Sequence, residues 1–287
     1  MANNPPGRLY VVATPIGNLG DFSSRAREVL QSCALIAAED TRHSGPLLRH
    51  FDVHTPLISL HEHNERRRTA ELLRRLEGGA DLALISDAGT PAISDPGFEL
   101  LSAAAAAGIE ITCVPGPCAA LAALSVAALP TARFAFEGFL PARGAARRRR
   151  LAALAMEPRT LVFYESPHRL REMLEDCAAA FGAARHAAVA RELTKLHETI
   201  YRATLGELKA RAAEDADFCR GEIVVVIAAA APTAAADEAR DLDRVLGALL
   251  DELPLAQAAR LAARIVGVRH NEAYKRALAL QRESASQ

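Results

Sequence analysis

Four short apolar segments of this chain each run directly into a loop of glycine, proline or polar residues, and this repeated pattern constrains the fold most. The segments are 9–13, 82–86, 109–114 and 161–165. Runs of this length are typical of strands that are buried on both faces of a parallel sheet. In open α/β sheets, ligands bind beyond the carboxyl ends of the strands. The pattern therefore predicts an α/β fold with a small-molecule pocket where these loops meet.

Strand and helix candidates alternate along most of the chain. Further strands are expected at 34–38, 57–59, 134–138, 187–191 and 222–229. Helices are expected at 23–32, 64–77, 98–107, 117–127, 167–180, 239–252, 255–266 and 270–281. Such alternation is typical of α/β domains. A chain of 287 residues is long enough for two domains and a small third one.

The predicted organisation is two α/β lobes followed by a helical module. We expect an N-terminal lobe over 1–117, a C-terminal lobe over 118–230 and a helix-turn-helix-like module over 238–287, with a linker-like segment at 228–236. The module is either an RNA-facing accessory unit or a cap on the main body. Its excess of basic residues, six Lys or Arg against one acid between 255 and 282, favours contact with RNA.

The overall charge excludes a general attraction to nucleic acid. At a net charge of −1, any RNA contact must be local. The five cysteines form no CxxC pair and no metal-like spacing, which is typical of reduced thiols in the cytoplasm. No segment approaches the roughly 18–20 apolar residues of a membrane span. We therefore expect a cytoplasmic protein without a membrane anchor.

A metal site is not expected. His61 and His63 lie two residues apart and would share a face of an extended segment, but no third ligand is suitably spaced. A loop followed by a helix that begins at Asn64 is the preferred interpretation of this segment.

Six motifs occur in order along the chain and together resemble a known family. They are TPIGNLGD, AAEDTRHS, SDAGTP, PGPCA, FYESPHR and RELTK. This ordered set resembles the tetrapyrrole methylase family, a class of S-adenosylmethionine-dependent methyltransferases, and within it the members that act on ribosomal RNA. The resemblance spans roughly residues 8 to 280. It implies two α/β lobes with the cofactor in the cleft between them, and a homodimer.

The glycine-bearing loops are the expected cofactor site. The dinucleotide motif GxGxxG and the phosphate-binding motif GxxxxGK[ST] are both absent, which disfavours an ordinary nucleotide enzyme. Taken alone, each loop is better explained by turn geometry. The resemblance implies cofactor contacts from Pro15, Ile16, Asp87, Ala88, Gly89, Thr90, Cys118, Ala119 and Tyr164. The sequence has SDAG where many family members that act on small molecules have GDP. The resemblance therefore supports a role for Asp87 more strongly than it supports a particular conformation of this loop.

Two motifs contain groups able to accept a proton from an attacking hydroxyl. They are AAEDTRHS and RELTK, and the candidate catalytic residues are Asp40, His43, Glu192 and Lys195. A carboxylate, or a lysine with a lowered pKa, is suited to this role. The alternatives are a helix cap at Asp40 or Thr41 and a solvated surface ion pair in RELTK. The sequence does not choose among the four candidates.

Arginines are the expected RNA contacts. The segment 143–150 holds five arginines, and no acid occurs between Glu137 and Glu157. The like charges of such a run repel one another, and a nearby polyanion would relieve this repulsion. The alternative is that the run forms only a charged, solvent-facing side of a helix. Arginine also suits phosphate because its donors match two phosphate oxygens. The candidate RNA-binding residues are Arg42, Arg147, Arg148, Arg149 and Arg169.

The expected activity is S-adenosylmethionine-dependent methylation of the ribose 2'-hydroxyl of a cytidine in 16S ribosomal RNA, in the naked RNA or in the 30S subunit. The motif series and the two basic segments support this substrate. Two alternatives remain open at this point. One is methylation of a tetrapyrrole or another small molecule, and the other is a nucleic-acid-binding ligand sensor without catalytic activity.

Overall fold

The computed structural model describes residues 5–231 and 234–284, without the side chains of 234–240 and 282–284. The first half of the chain forms a parallel five-stranded sheet in the order β3-β2-β4-β1-β5. Its strands are β1 (Leu9–Val12), β2 (Leu35–Ala38), β3 (Leu57–Ser59), β4 (Leu82–Ile85) and β5 (Ile111–Val114).

Five helices accompany this first sheet. They are α1 (Ser24–Ser32), α2 (Thr41–His50), α3 (Glu65–Glu77), α4 (Phe98–Ala106) and α5 (Ala119–Val126). Successive strand residues point to opposite faces of a sheet. Accordingly, Ala83 and Ile85 join a core with α1 and α2, while Leu82 and Leu84 join a core with α3 and α4. The purely apolar β4 is explained by this burial on both faces.

The second half forms a mixed five-stranded sheet in the order β6-β7-β10-β8-β9. Its strands are β6 (Phe134–Phe139), β7 (Thr160–Glu165), β8 (His186–Arg191), β9 (Thr199–Thr204) and β10 (Ile223–Ile227). Its helices are α6 (Gly144–Leu154), α7 (Leu170–Phe181) and α8 (Leu205–Glu214). Only β6 and β7 are parallel, and the other pairs are antiparallel. One face carries the largest core, and the other packs against α5.

The C-terminal residues 230–287 form a separate compact unit. It contains α9 (Ala234–Leu250), α10 (Leu255–Val266) and α11 (His270–Ser284) around an alanine- and leucine-rich core. Gly267 ends α10 with a φ of 87°, the left-handed conformation that glycine adopts without a steric penalty. This tight turn explains the break between α10 and α11 that the sequence predicts.

The predicted fold class is confirmed, namely two α/β lobes and C-terminal helices. The limits 1–117, 118–230 and 238–287 stay a prediction. Residues 1–4 and 285–287, and residues 232–233 of the predicted linker, lie outside the described residues. The predicted strands omit β9 and the predicted helices omit α8. Helices at the positions of α2 and α6 are expected only as the capping and charged-face alternatives. None of the helices in the described ranges is long and apolar enough to cross a membrane.

Candidate active site

Three loops that follow β1, β4 and β5 are hydrogen-bonded to one another. Thr14 and Gly89 exchange backbone hydrogen bonds of 2.9 and 3.1 Å, and the Thr90 hydroxyl donates to the Pro117 carbonyl at 3.0 Å. Gly89 has a φ of 84°, which a residue with a Cβ adopts only with strain. Parallel strands end at the same edge of the sheet, and this is why three motifs far apart in the chain form one surface.

A cavity of about 380 Å³ lies where these loops face the second sheet. Cavities of this size are typical of small-molecule sites. The second lobe contributes the ends of β6 and β7, Leu193 from the loop after β8, and the start of the antiparallel β10. The lining residues are Ile16, Ala88, Gly89, Thr90, Ile93, Ser94, Asp95, Cys118, Ala119, Phe139, Tyr164, Glu165, Ser166, Pro167, Leu193, Gly221, Glu222, Ile223 and Val224.

Most of the residues predicted to bind a cofactor lie in this lining. They are Ile16, Ala88, Gly89, Thr90, Cys118, Ala119 and Tyr164. Pro15 and Asp87 do not line the cavity, so their contact with the cofactor stays a prediction. Pro15 is buried. The Asp87 carboxylate accepts a 3.1 Å hydrogen bond from the Asp40 backbone N–H, so it holds the start of α2 against β4.

Tyr164 ties the start of α5 to the second sheet at the wall of the cavity. Its hydroxyl accepts a 3.3 Å hydrogen bond from the Ala120 N–H in the first turn of α5. Phe136 and Phe139 pack edge-on against its ring. Burial, followed by the nearby Cys118, raises the pKa of Tyr164, so the phenol stays neutral.

Glu165 presents a buried carboxylate to the cavity. Its Oε1 accepts the Ser166 N–H at 2.8 Å and lies 3.3 Å from Arg169 Nε, while its Oε2 has no hydrogen-bond partner in the described structure. Burial raises the pKa of this carboxyl despite the opposing hydrogen bond from Ser166. A buried acceptor without a partner is costly, so Oε2 needs a donor that the described residues do not supply.

Asp95 is a second carboxylate in the lining, on the loop between β4 and α4. Two other residues of this loop, Ala92 and Ser94, have a φ of 66°, an uncommon conformation for residues with a Cβ. Burial raises the pKa of Asp95 to about 6, opposed by a hydrogen bond with Ser86. The carboxylates of Glu39 and Asp87 add to this rise.

Asp40 and His43, both predicted to be catalytic, do not line the cavity. The Asp40 side chain caps α2 by accepting the Arg42 N–H, so the capping alternative is confirmed. It also accepts two side-chain donors of Arg42, and these bonds lower the pKa of Asp40 to about 2. A carboxylate of such low basicity is poorly suited to take a proton from a hydroxyl. His43 is exposed and lies outside the cavity lining.

Glu192 and Lys195 form an ion cluster with Glu222 at the rim. Lys195 Nζ lies 3.0 Å from a carboxylate oxygen of each glutamate, and its side chain packs against Gly17 of the first lobe. Burial opposes the charge of Lys195, but these two hydrogen bonds outweigh it and raise its pKa. For Glu192, burial is likewise outweighed by hydrogen bonds from Glu222 and Lys195, which lower its pKa. The raised pKa of Lys195 disfavours it as a base, and the role of Glu192 stays a prediction.

The arginine run 143–150 lies in and just before α6. It does not form a uniform basic surface. Arg147 is 3% exposed, and its Nε and Nη2 lie 2.7 Å from Asp176 and 2.9 Å from Glu172 on α7. Arg147 as an RNA contact is therefore wrong. Arg150 is paired with Glu137. Arg148 and Arg149 are exposed, so their role in RNA binding stays a prediction.

Arg42 and Arg169 also differ in how far the side chain is exposed and engaged. The Arg42 side chain is 89% exposed beyond its pair with Asp40, so it remains free to reach a phosphate. Arg169 donates to the Leu140 carbonyl at 2.6 Å and lies against Glu165. Its guanidinium is engaged inside the lobe, which corrects its assignment to RNA.

No metal centre is seen in the part of the chain that the structure describes, where no three His, Cys, Asp or Glu residues converge. The rings of His61 and His63 are 6.0 Å apart. The Asn64 side chain accepts the His61 N–H at 3.0 Å and so shapes the turn before α3.

The sequence of the two lobes that form this cavity matches the model of a known protein family. Residues 8–209 match the model of the "Tetrapyrrole (Corrin/Porphyrin) Methylases". The chain belongs to the tetrapyrrole methylase family. Residues 235–281 match a second model, the "RsmI C-terminal HTH domain". As a tetrapyrrole methylase the protein is a methyltransferase, and S-adenosylmethionine is the cofactor of this class.

Two relatives match this tetrapyrrole methylase over nearly its whole length, and both are named "Ribosomal RNA small subunit methyltransferase I". The one from Pseudomonas aeruginosa is 56% identical over 97% of this chain and 99% of its own. The one from Escherichia coli O157:H7 is 51% identical over 98% of each chain.

Solved structures share the fold. A uroporphyrin-III C-methyl transferase from Thermus thermophilus, complexed with S-adenosyl homocysteine, has a TM-score of 0.55 and 17% identity and covers 77% of this chain and 97% of its own. A diphthine synthase has a TM-score of 0.56 and 13% identity and covers 77% and 89%. At this identity the likeness shows the architecture of a tetrapyrrole methylase alone.

Asp95, Glu165 and Glu222 line the cavity but are absent from the predicted site residues. The sequence does contain a signal for Asp95, because Ser94-Asp95 repeats the pair Ser86-Asp87 and precedes Pro96-Gly97. Glu222 follows an Arg-Gly pair that gives no signal of a functional site. Only the antiparallel placement of β10 brings Glu222 to the rim.

Proposed function

We propose that the chain methylates the ribose 2'-hydroxyl of a cytidine in 16S ribosomal RNA. The observation that carries this proposal is the 56% identity, over 97% of the chain, to a relative named as a small-subunit ribosomal RNA methyltransferase. The ordered motif resemblance supports the choice of the ribose hydroxyl and of cytidine. Ribosomal RNA lies in the cytoplasm, and we place the protein there.

The cavity fits S-adenosylmethionine on two structural grounds. The buried Glu165 Oε2 lacks a donor, and the hydroxyl and amino groups of this cofactor are donors. The wall at Cys118 and Ala119 is the positive end of α5, which favours a carboxylate such as the one the cofactor carries. Ala88 and Gly89 are small enough to let a ligand approach the backbone. When bound, S-adenosylmethionine supplies a methyl group on a positively charged sulfur.

The residues around the cavity act by positioning and by excluding water. Tyr164 and Leu193 supply apolar walls, and Lys195 lies across Gly17, so that side chains of both lobes close the rim. The ion pair between Lys195 and Glu222 fixes the start of β10 at the cavity. A preorganised, dry site lowers the entropic cost of aligning a ribose hydroxyl.

Methyl transfer to ribosomal subunits tests the proposal. The purified protein is incubated with radiolabelled S-adenosylmethionine and 30S subunits from cells that lack the corresponding modification. We expect label at one cytidine, mapped by resistance of its 3'-phosphodiester to alkali. Transfer to a tetrapyrrole but not to 30S subunits or their RNA would support the first alternative. Cofactor binding without transfer to any acceptor would support a sensor.

The C-terminal unit supports an RNA substrate through its exposed basic residues. Arg260 and Arg264 on α10 and Arg269 and Lys275 near the start of α11 are exposed, and within the described ranges none of the four is in an ion pair. Arg276, in contrast, is paired with Asp243 of α9. Unpaired cations on two helices joined by a tight turn are typical of a nucleic-acid-binding surface.

Replacing Arg260, Arg264 and Lys275 together with glutamine is expected to weaken binding to 30S subunits and to leave the cofactor dissociation constant unchanged. Each lost phosphate contact reduces the slope of log affinity against log salt by about one. Titration of labelled subunits at several salt concentrations measures this slope. Arg244→Gln on α9, an exposed arginine already paired with Asp241, is the matched control. An unchanged slope in the triple variant would contradict the role of this surface.

We also propose a homodimer, supported by apolar side chains exposed on the first lobe. Phe98 of α4 is 72% exposed and Leu121 of α5 is 53% exposed, and the edge strand β5 exposes Ile111. Large exposed apolar side chains are typical of interaction surfaces. Light scattering during size-exclusion chromatography is expected to give twice the chain mass of 30.6 kDa. A single-chain mass at micromolar concentration would contradict the dimer.

A further inference from the structure

We propose that Glu65 is a positioning residue that fixes the loop between β4 and α4 at the cofactor cavity. This inference rests on the proposed place of the cofactor in that cavity. It is carried by two backbone hydrogen bonds to one oxygen of a buried carboxylate. Glu65 Oε1 accepts the Gly97 N–H at 3.0 Å and the Glu99 N–H at 2.9 Å, and Glu65 is only 8% exposed.

Helix α4 does not cap its own N-terminus. Its N-cap residue is Gly97, which has no side chain to accept a hydrogen bond. The first N–H groups of a helix lack partners within the helix and are stabilised by an oxygen supplied from elsewhere. Glu65, the first residue of α3, supplies this oxygen from the neighbouring helix. Its negative charge also lies at the positive N-terminal ends of both helices, which favours a carboxylate there.

The capped end of α4 is also the end of the loop that lines the cavity. This loop spans residues 86–97 and contributes six lining residues, namely Ala88, Gly89, Thr90, Ile93, Ser94 and Asp95. Its first part is held by the hydrogen bonds of Gly89 and Thr90 to the loops after β1 and β5. Its last part ends at Gly97, which Glu65 holds. A shift of Gly97 is therefore transmitted to the nearby lining residues.

The loop needs this second support because its backbone is strained. Ala92 and Ser94 have a φ of 66°, and Gly97 has a φ of 132°. A Cβ on Gly97 would lie 2.7 Å from Leu84 Cδ2, so the chain passes close to β4 at this point. Backbone in such conformations persists only where the surrounding contacts hold it. Without its bonds to Glu65, the segment 92–97 is expected to relax away from the geometry that lines the cavity.

Glu65 is itself held in place by the turn that follows β3. The Asn64 side chain accepts the His61 N–H at 3.0 Å and donates to the Ser59 carbonyl at 3.2 Å. The Glu65 N–H donates to the His61 carbonyl at 3.0 Å. The turn that the sequence predicts before α3 therefore directs one carboxylate to the start of α4.

Two conservative variants of the full-length protein separate the reach of the Glu65 side chain from its charge. Glu65→Gln keeps an acceptor oxygen at the same reach, so the dissociation constant of S-adenosyl homocysteine is expected to stay within about threefold of the wild-type value. Glu65→Asp keeps the charge but is shorter by one methylene, so Gly97 and Glu99 lose their shared acceptor. We expect its dissociation constant, measured by calorimetry, to rise about 10-fold, because the binding-competent loop is then populated only part of the time.

Hydrogen exchange at the Gly97 and Glu99 amides, followed by NMR, reports on the loop without any activity measurement. Both amides are expected to exchange about 10-fold faster in Glu65→Asp than in the wild type, and at nearly the wild-type rate in Glu65→Gln. Saturating S-adenosyl homocysteine is expected to slow this exchange again in Glu65→Asp, since a ligand that binds the ordered loop also favours it.

Leu76→Ala at the other end of α3 is the control for a general loss of stability. Leu76 is fully buried in the core that α3 and α4 share, and it lies about three helical turns from Glu65. This variant is expected to lower the melting temperature at least as much as Glu65→Asp does. Its dissociation constant for S-adenosyl homocysteine is expected to stay at the wild-type value.

Several outcomes would overturn the inference while leaving the proposed function standing. They are a wild-type dissociation constant in Glu65→Asp, equal losses of affinity in Glu65→Asp and Glu65→Gln, and amides of Gly97 and Glu99 that stay protected in Glu65→Asp. A loss of affinity in Leu76→Ala in proportion to its loss of stability would make the role of Glu65 merely structural. A wild-type protein that does not bind S-adenosyl homocysteine overturns the proposed cofactor site and this inference together.

Discussion

Replacing Arg147 with methionine is expected to lower the free energy of unfolding by about 3–5 kcal/mol, because it removes the hydrogen-bonded partner of a buried carboxylate. Only the exposed Arg148, 3.7 Å away, then remains near that carboxylate. Arg147 lies between α6 and α7, and its Nε is 2.7 Å from Asp176, whose side chain is 11% exposed. The guanidinium also bonds Glu172, so two acids of α7 are held by one cation. Urea denaturation followed by circular dichroism measures the change.

The matched control is Arg149→Met on the same helix. Arg149 is exposed and forms no ion pair within the described residues, so the effect of its replacement on stability is expected to stay within about 0.5 kcal/mol. If it contacts phosphate, its replacement weakens binding to 30S subunits, whereas the folded Arg147→Met protein binds them normally. A double variant Arg147→Met with Asp176→Leu is expected to recover part of the lost stability, since the unpaired charge is removed. Wild-type stability in Arg147→Met would contradict this account of α6 and α7.

Replacing Glu165 with glutamine is expected to raise the cofactor dissociation constant by about 10- to 100-fold. The Ser166 N–H and Arg169 require an acceptor, so the amide oxygen of the glutamine faces them. The NH2 group then occupies the position of Oε2, where it meets a ligand donor with another donor. Loss of a hydrogen bond to a charged group costs about 1.5–3 kcal/mol, and each 1.4 kcal/mol is tenfold in affinity.

Calorimetric titration with S-adenosyl homocysteine measures this constant, with the exposed Glu28→Gln on α1 as the control. Burial raises the pKa of Glu165, so its charged form is lost at a higher pH than the usual 4.5 for this side chain. Wild-type affinity is therefore expected to fall on acidification before that pH is reached, and this dependence is expected to be absent in Glu165→Gln. An unchanged affinity with a raised KM for 30S subunits would assign Oε2 to the RNA instead.

The parts of the fold that are predictable from sequence are those whose signal is local. β4 and β7 are visible because strands buried on both faces are rich in apolar residues. β5 is equally apolar although it is an edge strand that exposes Ile111. The edge strand β9, read TIYRAT, has no such run, because it pairs with β8 alone and is only half-buried. The following α8 did carry a usable sign, the capping box of Thr204 and Glu207.

The candidate site shows the same division between local and distant information. The loops that form the cavity are recognised by their composition, and seven of the nine predicted cofactor residues line it. The state of each charged group depends on partners far along the chain. Arg147 is neutralised by an acid 29 residues away, and Asp95 is perturbed by Glu39 from another strand. No spacing rule reveals such pairs.

The sequence by itself determined the alternation of strands and helices, the loops at the strand ends and the family to which the chain belongs. Backbone preference and apolar periodicity are properties of neighbouring residues, so they are readable from the chain. The tertiary structure alone decided which acids face the cavity and which arginines are buried. Those outcomes depend on burial and on charges brought together from separate elements, and both arise only when the chain is folded.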